Sequence, residues 1–396
     1  MIPINVTIAR TDLWENKNIA YPGASLLLPA TRHEIQDAMD CARITDGQPY
    51  KVIECIDSNG DEMSYLPENP PLDMLNILAH KLKESDDYEQ IQFTAMCRMD
   101  KEPPSMLRLM NITENLQDCL CVPADDYAEL GKFYIENELV EGIKDLPEKL
   151  FDCIDPAKIG MMKHKEESGI FIQTGDLRYY VLNNSDEFRE VYNEINMPAL
   201  PSEDAGYIFK LNIANKATGE STVIKLKSTL EDITNQLKTI NITDLSQYKV
   251  VYAECVVPCL SEKIYNSSNA NIFELNNLAH KIHDIMLYGE CPKYKAILEA
   301  YGADSLADAI TFADNIGDYE YYPEAFCAED YGWEIFLKNH NIALDDPSRK
   351  HLRFANYGFT LIDEHNAVKT DYGFIRKSGE PQQGQSDITQ GMGGIR

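Results

Sequence analysis

Between Ala296 and Leu337 the chain has no lysine, arginine or histidine, yet it carries Glu299, Asp304, Asp308, Asp314, Asp318, Glu320, Glu324, Glu329, Asp330 and Glu334. Fixed negative charge at close spacing can hold a cationic partner or imitate a polyanion. The spacing predicts a helix over 303–318, with Leu306, Ala309, Ile310, Phe312, Ala313 and Ile316 on one side. Asp304, Asp308, Asp314 and Asp318 fall on the other side, within an arc of about 120°. Like charges at i,i+4 cost an isolated helix roughly 0.2–0.5 kcal/mol per pair, and Asp304/Asp308 and Asp314/Asp318 both carry that cost. Carboxylates one turn apart stand roughly 6 Å from each other. Duplex DNA carries a charge per about 1.7 Å of axis, counting both strands. A stiff carboxylate row can therefore resemble a phosphate row to a protein that binds DNA. The alternative is an ordinary solvated acidic face.

Two further cation-free runs lie earlier. Glu54, Asp57, Asp61, Glu62, Glu68 and Asp73 fall between Lys51 and Lys81, and Glu114, Asp118, Asp125, Asp126 and Glu129 between Arg108 and Lys132. With so many carboxylates, no single pair stands out for acid/base work. His280 and His283, i,i+3 on an expected helix beside Asp284, could form half of a metal site. His80 sits in the related earlier segment, but Lys83 stands where a second histidine would be needed, so packing roles are expected for both His80 and His280. Gly131 and Gly332 are single glycines rather than a phosphate loop, and no G-x-S-x-G, P-loop or H-E-x-x-H occurs. Neither a metal, a cofactor nor catalysis is expected.

The net charge of −29 on 396 residues disfavours direct binding to nucleic acid or to an anionic membrane and favours a basic partner. The acidity is spread along the chain, unlike a detachable acidic tail. Hydrophobic residues make up 44% of the composition, enough for a real core. None of the ten cysteines forms a C-x-x-C pair, so reduced, buried thiols are expected. The first residues lack a signal-peptide apolar region and no apolar run approaches a membrane span, so a soluble cytoplasmic protein is expected.

The chain repeats itself. Residues 30–52 and 228–250 align without gaps, matching at Thr31/Thr229, Ile35/Ile233, Ile44/Ile242, Thr45/Thr243, Asp46/Asp244, Tyr50/Tyr248, Lys51/Lys249 and Val52/Val250. After a two-residue insertion, Leu75-Asn76-Ile77-Leu78-Ala79-His80-Lys81-Leu82 pairs with Leu275-Asn276-Asn277-Leu278-Ala279-His280-Lys281-Ile282. Ser105/Ser305, Asn115/Asn315, Asp118/Asp318, Pro123/Pro323 and Glu129/Glu329 keep the same register. The expected class is α+β: two tandem homologous modules, 1–195 and 206–377, joined by a linker at 196–205 and followed by a disordered tail at 378–396.

Each module reads as a small α/β unit followed by short helices. The opening strand is expected at 24–28 in the first copy, and at 207–213 with 222–226 in the second. A helix at 31–42 (229–240), capped by Thr31 or Ser228, and a strand at 50–56 (248–257) follow. Next comes a helix with the apolar stripe Leu75, Leu78, Ala79 and Leu82. Each module closes on a helical pair, 125–137 with 147–165 and 328–340 with 346–365, with Gly160 and Gly358 at matching places.

Three sets of segments are similar to the ArdA antirestriction family in its longer, multi-module form. They are LLLPATRHEIQDAMDCARITDGQPYKV with LNILAHKL; VPADDYAELGKFYIEN with PAKIGMMKHKEESGIF; and ELNNLAHKI, ADNIGDYEYYPEAF, EDYGWEIF and TDYGFIRK. The resemblance implies a non-enzymatic, elongated acidic protein, often a homodimer. Such a protein occupies the basic DNA-binding groove of a Type I restriction-modification enzyme or another defence complex. The carboxylates expected to face that groove are Asp304, Asp308, Asp314, Asp318, Glu320, Glu324, Glu329, Asp330, Glu334, Glu114, Asp118, Asp125, Asp126, Glu129, Asp57, Asp61 and Glu62.

Overall fold

The computed structural model describes residues 4–16, 21–57, 60, 62–142, 153–185, 187–200, 206–266, 270–340 and 354–379. Helices and small three-stranded sheets together give an α+β fold. The chain divides into two compact units. The first comprises Met1–Thr7, Ser25–Ala30 and Lys51–Ser202. The second comprises Ile8–Ala24, Thr31–Tyr50 and Glu203–Arg396.

Strands β1 (Ile4–Arg10), β2 (Ala24–Leu28) and β3 (Tyr50–Ile56) form a sheet in the order β2-β1-β3. The central strand β1 was not among the expected elements, although Ile4, Val6 and Ile8 alternate in the sequence and are fully buried. Helices α1 (Thr11–Glu15) and α2 (Arg32–Cys41) belong to the second unit. Thr31 caps α2 in a full capping box with Glu34.

The first unit continues with α3 (Leu72–Glu84), α4 (Asp87–Met99) and α5 (Met106–Thr113). Next come β4 (Cys119–Pro123), α6 (Tyr127–Glu136), α7 (Pro156–Glu167), β5 (Ile170–Thr174) and β6 (Leu177–Asn183). The last sheet is antiparallel in the order β4-β6-β5, with Cys121 opposite Val181 and Ile172 opposite Tyr179. In the second unit, β7 (Phe209–Asn215), β8 (Ser221–Leu226) and β9 (Tyr248–Cys255) pair antiparallel in the order β8-β7-β9. Between them lies α8 (Leu230–Thr239), capped by Thr229 and not by Ser228, because it is the Thr229 hydroxyl that accepts the Asp232 N–H. Then come α9 (Pro258–Asn266), α10 (Ile272–Leu287), α11 (Cys291–Tyr301) and α12 (Leu306–Asp314). The unit closes with β10 (Tyr319–Tyr322), α13 (Ala328–His340), α14 (Ala355–His365), β11 (Val368–Thr370) and β12 (Gly373–Lys377), in the sheet order β10-β12-β11.

The expected starts of the last helix of each pair, at 147 and 346, lie outside the described residues, as do the linker positions 201–205 and most of the tail.

The apolar stripes of α3 and α10 are core. Leu75, Leu78, Ala79, Leu275, Leu278, Ala279 and Ile282 are fully buried, each larger side chain contributing about 1.5–3 kcal/mol. One polar residue sits inside each stripe for a definite reason. The Asn76 amide accepts the Ala30 N–H at 2.8 Å and donates to the Ala30 carbonyl at 2.9 Å. Asn276 brackets Ser228 in the same way, with both bonds at 2.8 Å. Each asparagine thus satisfies both backbone groups of a residue where a strand turns toward its helix. Asn276→Leu is expected to cost about 2–3 kcal/mol by stranding the Ser228 amide and carbonyl; urea denaturation measures it, and a change below 0.5 kcal/mol would show that water replaces the clamp.

Candidate functional site

Helix α12 is shorter than the spacing predicts. Ser305 caps it: its hydroxyl accepts the Asp308 N–H, and the Asp308 carboxylate returns to the Ser305 N–H at 2.9 Å. Asp304 therefore precedes the helix. Asn315 ends it, and a 3-10 turn, Ile316–Asp318, follows. Ala309 and Ala313 are buried, and Leu306, Ile310, Phe312 and Ile316 pack partly buried against the core, so the apolar side is as expected.

The carboxylates of this stretch separate into two groups. Cations from outside the segment reach several of them, which corrects the expectation of a wholly unrelieved row. Asp314 pairs with Lys281, which offsets an acid at a helix C-terminus. Glu324 receives both terminal nitrogens of Arg10 at 3.2 Å. Glu320 takes Lys338 and Arg376, each at 2.9 Å, and the Tyr322 hydroxyl at 2.7 Å. Asp330 is only 6% exposed and accepts the Phe326 N–H, so burial removes it from any binding face. Glu334 is half-buried. Asp304, Asp318 and Glu329 remain exposed, with no ion pair among the described residues.

Burial opposes ionisation of Glu320, but its three hydrogen bonds outweigh that and hold the carboxyl down at about 2. A depressed carboxyl stabilises the fold above the ordinary value of 4.5, and that contribution fades as pH falls toward 2. Glu320→Gln is therefore expected to lower stability at pH 7 and to flatten the stability profile between pH 4.5 and 2. Urea midpoints across that window check it, and parallel profiles for variant and parent would refute it.

The first unit shows the same sorting. Glu114 binds Lys81 at 2.6 Å and the Tyr192 hydroxyl at 3.0 Å. Asp118 pairs with Arg189 at 2.7 Å. Asp126 caps α6 by accepting the Ala128 and Glu129 N–H groups, and Glu129 accepts the Asp125 N–H at 2.7 Å. Capping leaves these charges in solvent and places them at the positive end of the helix, where they are favourable. Asp125, Asp126, Glu129 and Glu62 are exposed, Asp57 is half-buried, and Asp61 lies outside the described residues.

One ionic cluster escaped the reading of the sequence. Lys295, 2% exposed on α11, reaches Asp37 at 2.7 Å and Asp40 at 2.8 Å, both on α2 of the same unit. The Tyr372 hydroxyl donates to Asp37 at 2.8 Å. A lysine inside the apolar run Tyr294-Lys295-Ala296-Ile297-Leu298 was the available signal.

His283 lies 3.6 Å from Asp284, and His280 is exposed. Among the described residues, no group of three or more His, Cys, Asp or Glu side chains could hold a metal ion. His280 also borders an open groove of about 720 Å³ with Lys227, Thr229, Asp232, Phe273 and Asn277. Asp232 is engaged there by the Thr229 hydroxyl at 2.6 Å. No described helix is long and apolar enough to cross a membrane.

No protein-family model and no curated protein matches this chain.

What the described residues offer chemically is a distribution of carboxylates on rigid supports. Of the carboxylates expected to face a groove, Asp125, Asp126, Glu129, Asp304, Asp318 and Glu329 stay exposed, at the starts of α6, α12 and α13 or in the 3-10 turn after α12.

Proposed function

We propose that the chain is a DNA mimic that blocks the DNA-binding groove of a Type I restriction-modification enzyme or a related defence complex in the cytoplasm. The observation that carries this reading is the sorting of carboxylates. After internal cations have neutralised Asp314, Glu320, Glu324, Glu114 and Asp118, exposed acids remain on capped helices and turns in each unit. A mimic needs that rigidity, because a flexible polyanion loses ordering entropy when it binds. The resemblance to the ArdA family supports the same reading. So does the recurrence of one element order, from a three-stranded sheet through helices to a helical pair and a second three-stranded sheet, which fits two tandem homologous modules. In this reading the protein has no catalytic activity, and its energy of binding is spread over many weak contacts.

The test is displacement of labelled target duplex from a Type I methyltransferase core. Stoichiometric displacement that fades as salt rises is expected, since charge complementarity is screened beyond about 8 Å at physiological ionic strength. Reversing Asp304, Asp318, Asp125 and Asp126 together to lysine is expected to weaken displacement at least tenfold, and single reversals by far less. DNA binding left untouched at low salt would exclude this enzyme class. Capture of a partner that excess DNA does not compete away would overturn the mimicry itself.

A further inference from the structure

The first unit contains a peptide held on its own surface. Residues 187–192 run without regular secondary structure past α5. The Asn115 amide brackets one residue of it, accepting the Arg189 N–H at 2.9 Å and donating to the Arg189 carbonyl at 3.0 Å. Asn111 accepts the Val191 and Tyr192 N–H groups and donates to the Tyr192 carbonyl. The Arg189 guanidinium pairs with Asp118. Tyr192 lies against Lys81 and Glu114. Covered in this way, Asn115 is 3% exposed.

The second unit repeats part of the receptor, with Thr311, whose hydroxyl donates to the Ala307 carbonyl, at the place of Asn111. Lys281 pairs with Asp314 as Lys81 pairs with Glu114. The Asn315 amide nitrogen donates to the Thr311 carbonyl at 2.9 Å, as that of Asn115 donates to the Asn111 carbonyl at 2.7 Å. The Ser378 N–H reaches the Asp318 carbonyl as the Asn184 N–H reaches that of Asp118. Yet Asn315 and Asp318 are exposed, and no described residue bonds the Asn315 side-chain oxygen or the Asp318 carboxylate.

We propose that Asn315 and Asp318 form a clamp for an extended, arginine-bearing peptide of a basic partner. Asn315 brackets one backbone residue, and Asp318 takes its guanidinium. Charge selects the occupant. Asp308 stands where the first unit has Arg108, whose guanidinium lies 3.5 Å above the Phe188 ring, and Asp304 is close by in sequence and exposed. The second site therefore favours a second cation beside the arginine. The chain's own tail is a poor match. Residues 378–396 carry a single cation, Arg396, against Glu380 and Asp387. The choice of a basic partner rests on the mimic reading, whereas the clamp rests on the geometry of the first unit.

The probe is a fluorescein-labelled peptide, Gly-Lys-Phe-Arg-Lys-Val-Tyr-Asn-Gly, titrated into the full chain by anisotropy. Saturable binding is expected. It should weaken about tenfold with Asp318→Asn and again with Asn315→Ala, the size of a lost charged or bracketing hydrogen bond. The same peptide with glutamine for arginine should bind as weakly as Asp318→Asn does to the original. Asp318 is exposed, so its variant keeps the fold, and circular dichroism verifies this for both variants. Absence of saturable binding, or binding indifferent to both substitutions, overturns the proposal. Binding that appears only when residues 380–396 are removed also overturns it, since the tail is then the occupant. The assay contains neither DNA nor a restriction enzyme, so its failure leaves the displacement experiment to decide the mimic reading separately.

Discussion

Gly358→Ala is expected to destabilise the protein by about 2–3 kcal/mol, although alanine is the better helix former by about 1 kcal/mol. An added Cβ at Gly358 would stand 1.7 Å from the Ala328 carbonyl oxygen, and one at Gly332 would stand 2.8 Å from the Gly358 Cα. Helices α13 and α14 therefore cross with backbone against backbone. The α6/α7 pair is built alike: a Cβ at Gly160 would meet the Tyr127 oxygen at 1.9 Å, and one at Gly131 the Pro156 oxygen at 1.8 Å. Backbone atoms cannot swing aside as side-chain tips do, so the helices must separate and lose packing on both faces. Gly317→Ala is the control: nothing lies within 4 Å of its Cβ position, and a change within about 0.5 kcal/mol is expected. Urea unfolding of both variants checks this, and equal effects would show that the crossing is slack.

The second large effect is expected at Lys295. Lys295→Met removes the cation between Asp37 and Asp40 and leaves two largely buried carboxylates, a loss of about 3–5 kcal/mol. Burial works against the ammonium, but the neighbouring acidic groups prevail and hold its proton well above the ordinary lysine range. A raised cationic group contributes fully below its unfolded value of 10.5, and that contribution is lost as pH rises from there through the folded one. The penalty should therefore be the same at pH 6 and pH 9. Adding Asp37→Asn and Asp40→Asn should restore much of the loss, because the uncompensated charge is then gone. Thermal and urea denaturation of the single and triple variants measure it. A single variant as stable as the parent would show that water reaches the acids.

The glycines and the lysine show where a linear reading stops. Gly160 and Gly358 were visible as matching positions, but their role needs the distance between two helices. Asn76 and Asn276 interrupt apolar stripes at matching places, a signal strong enough to mark them, yet the residues they bracket lie far off in sequence. For the carboxylates, the order of residues shows where cations are missing nearby. It does not show that Arg10 reaches Glu324 or that Arg376 reaches Glu320.

The sequence by itself determined the α+β class, the strand Tyr50–Ile56, the Thr31 cap, the buried faces of α3, α10 and α12, and the excess of negative charge. Those features depend on periodicity, on local hydrogen bonds and on composition, all carried within a few residues of chain. The tertiary structure alone decided which carboxylates are spent inside the fold and which remain in solvent. It also decided that Ile8–Ala24 and Thr31–Tyr50 group with the C-terminal unit. Ion pairs and compact units join residues hundreds of positions apart, and no spacing rule along the chain encodes which distant partners share a surface.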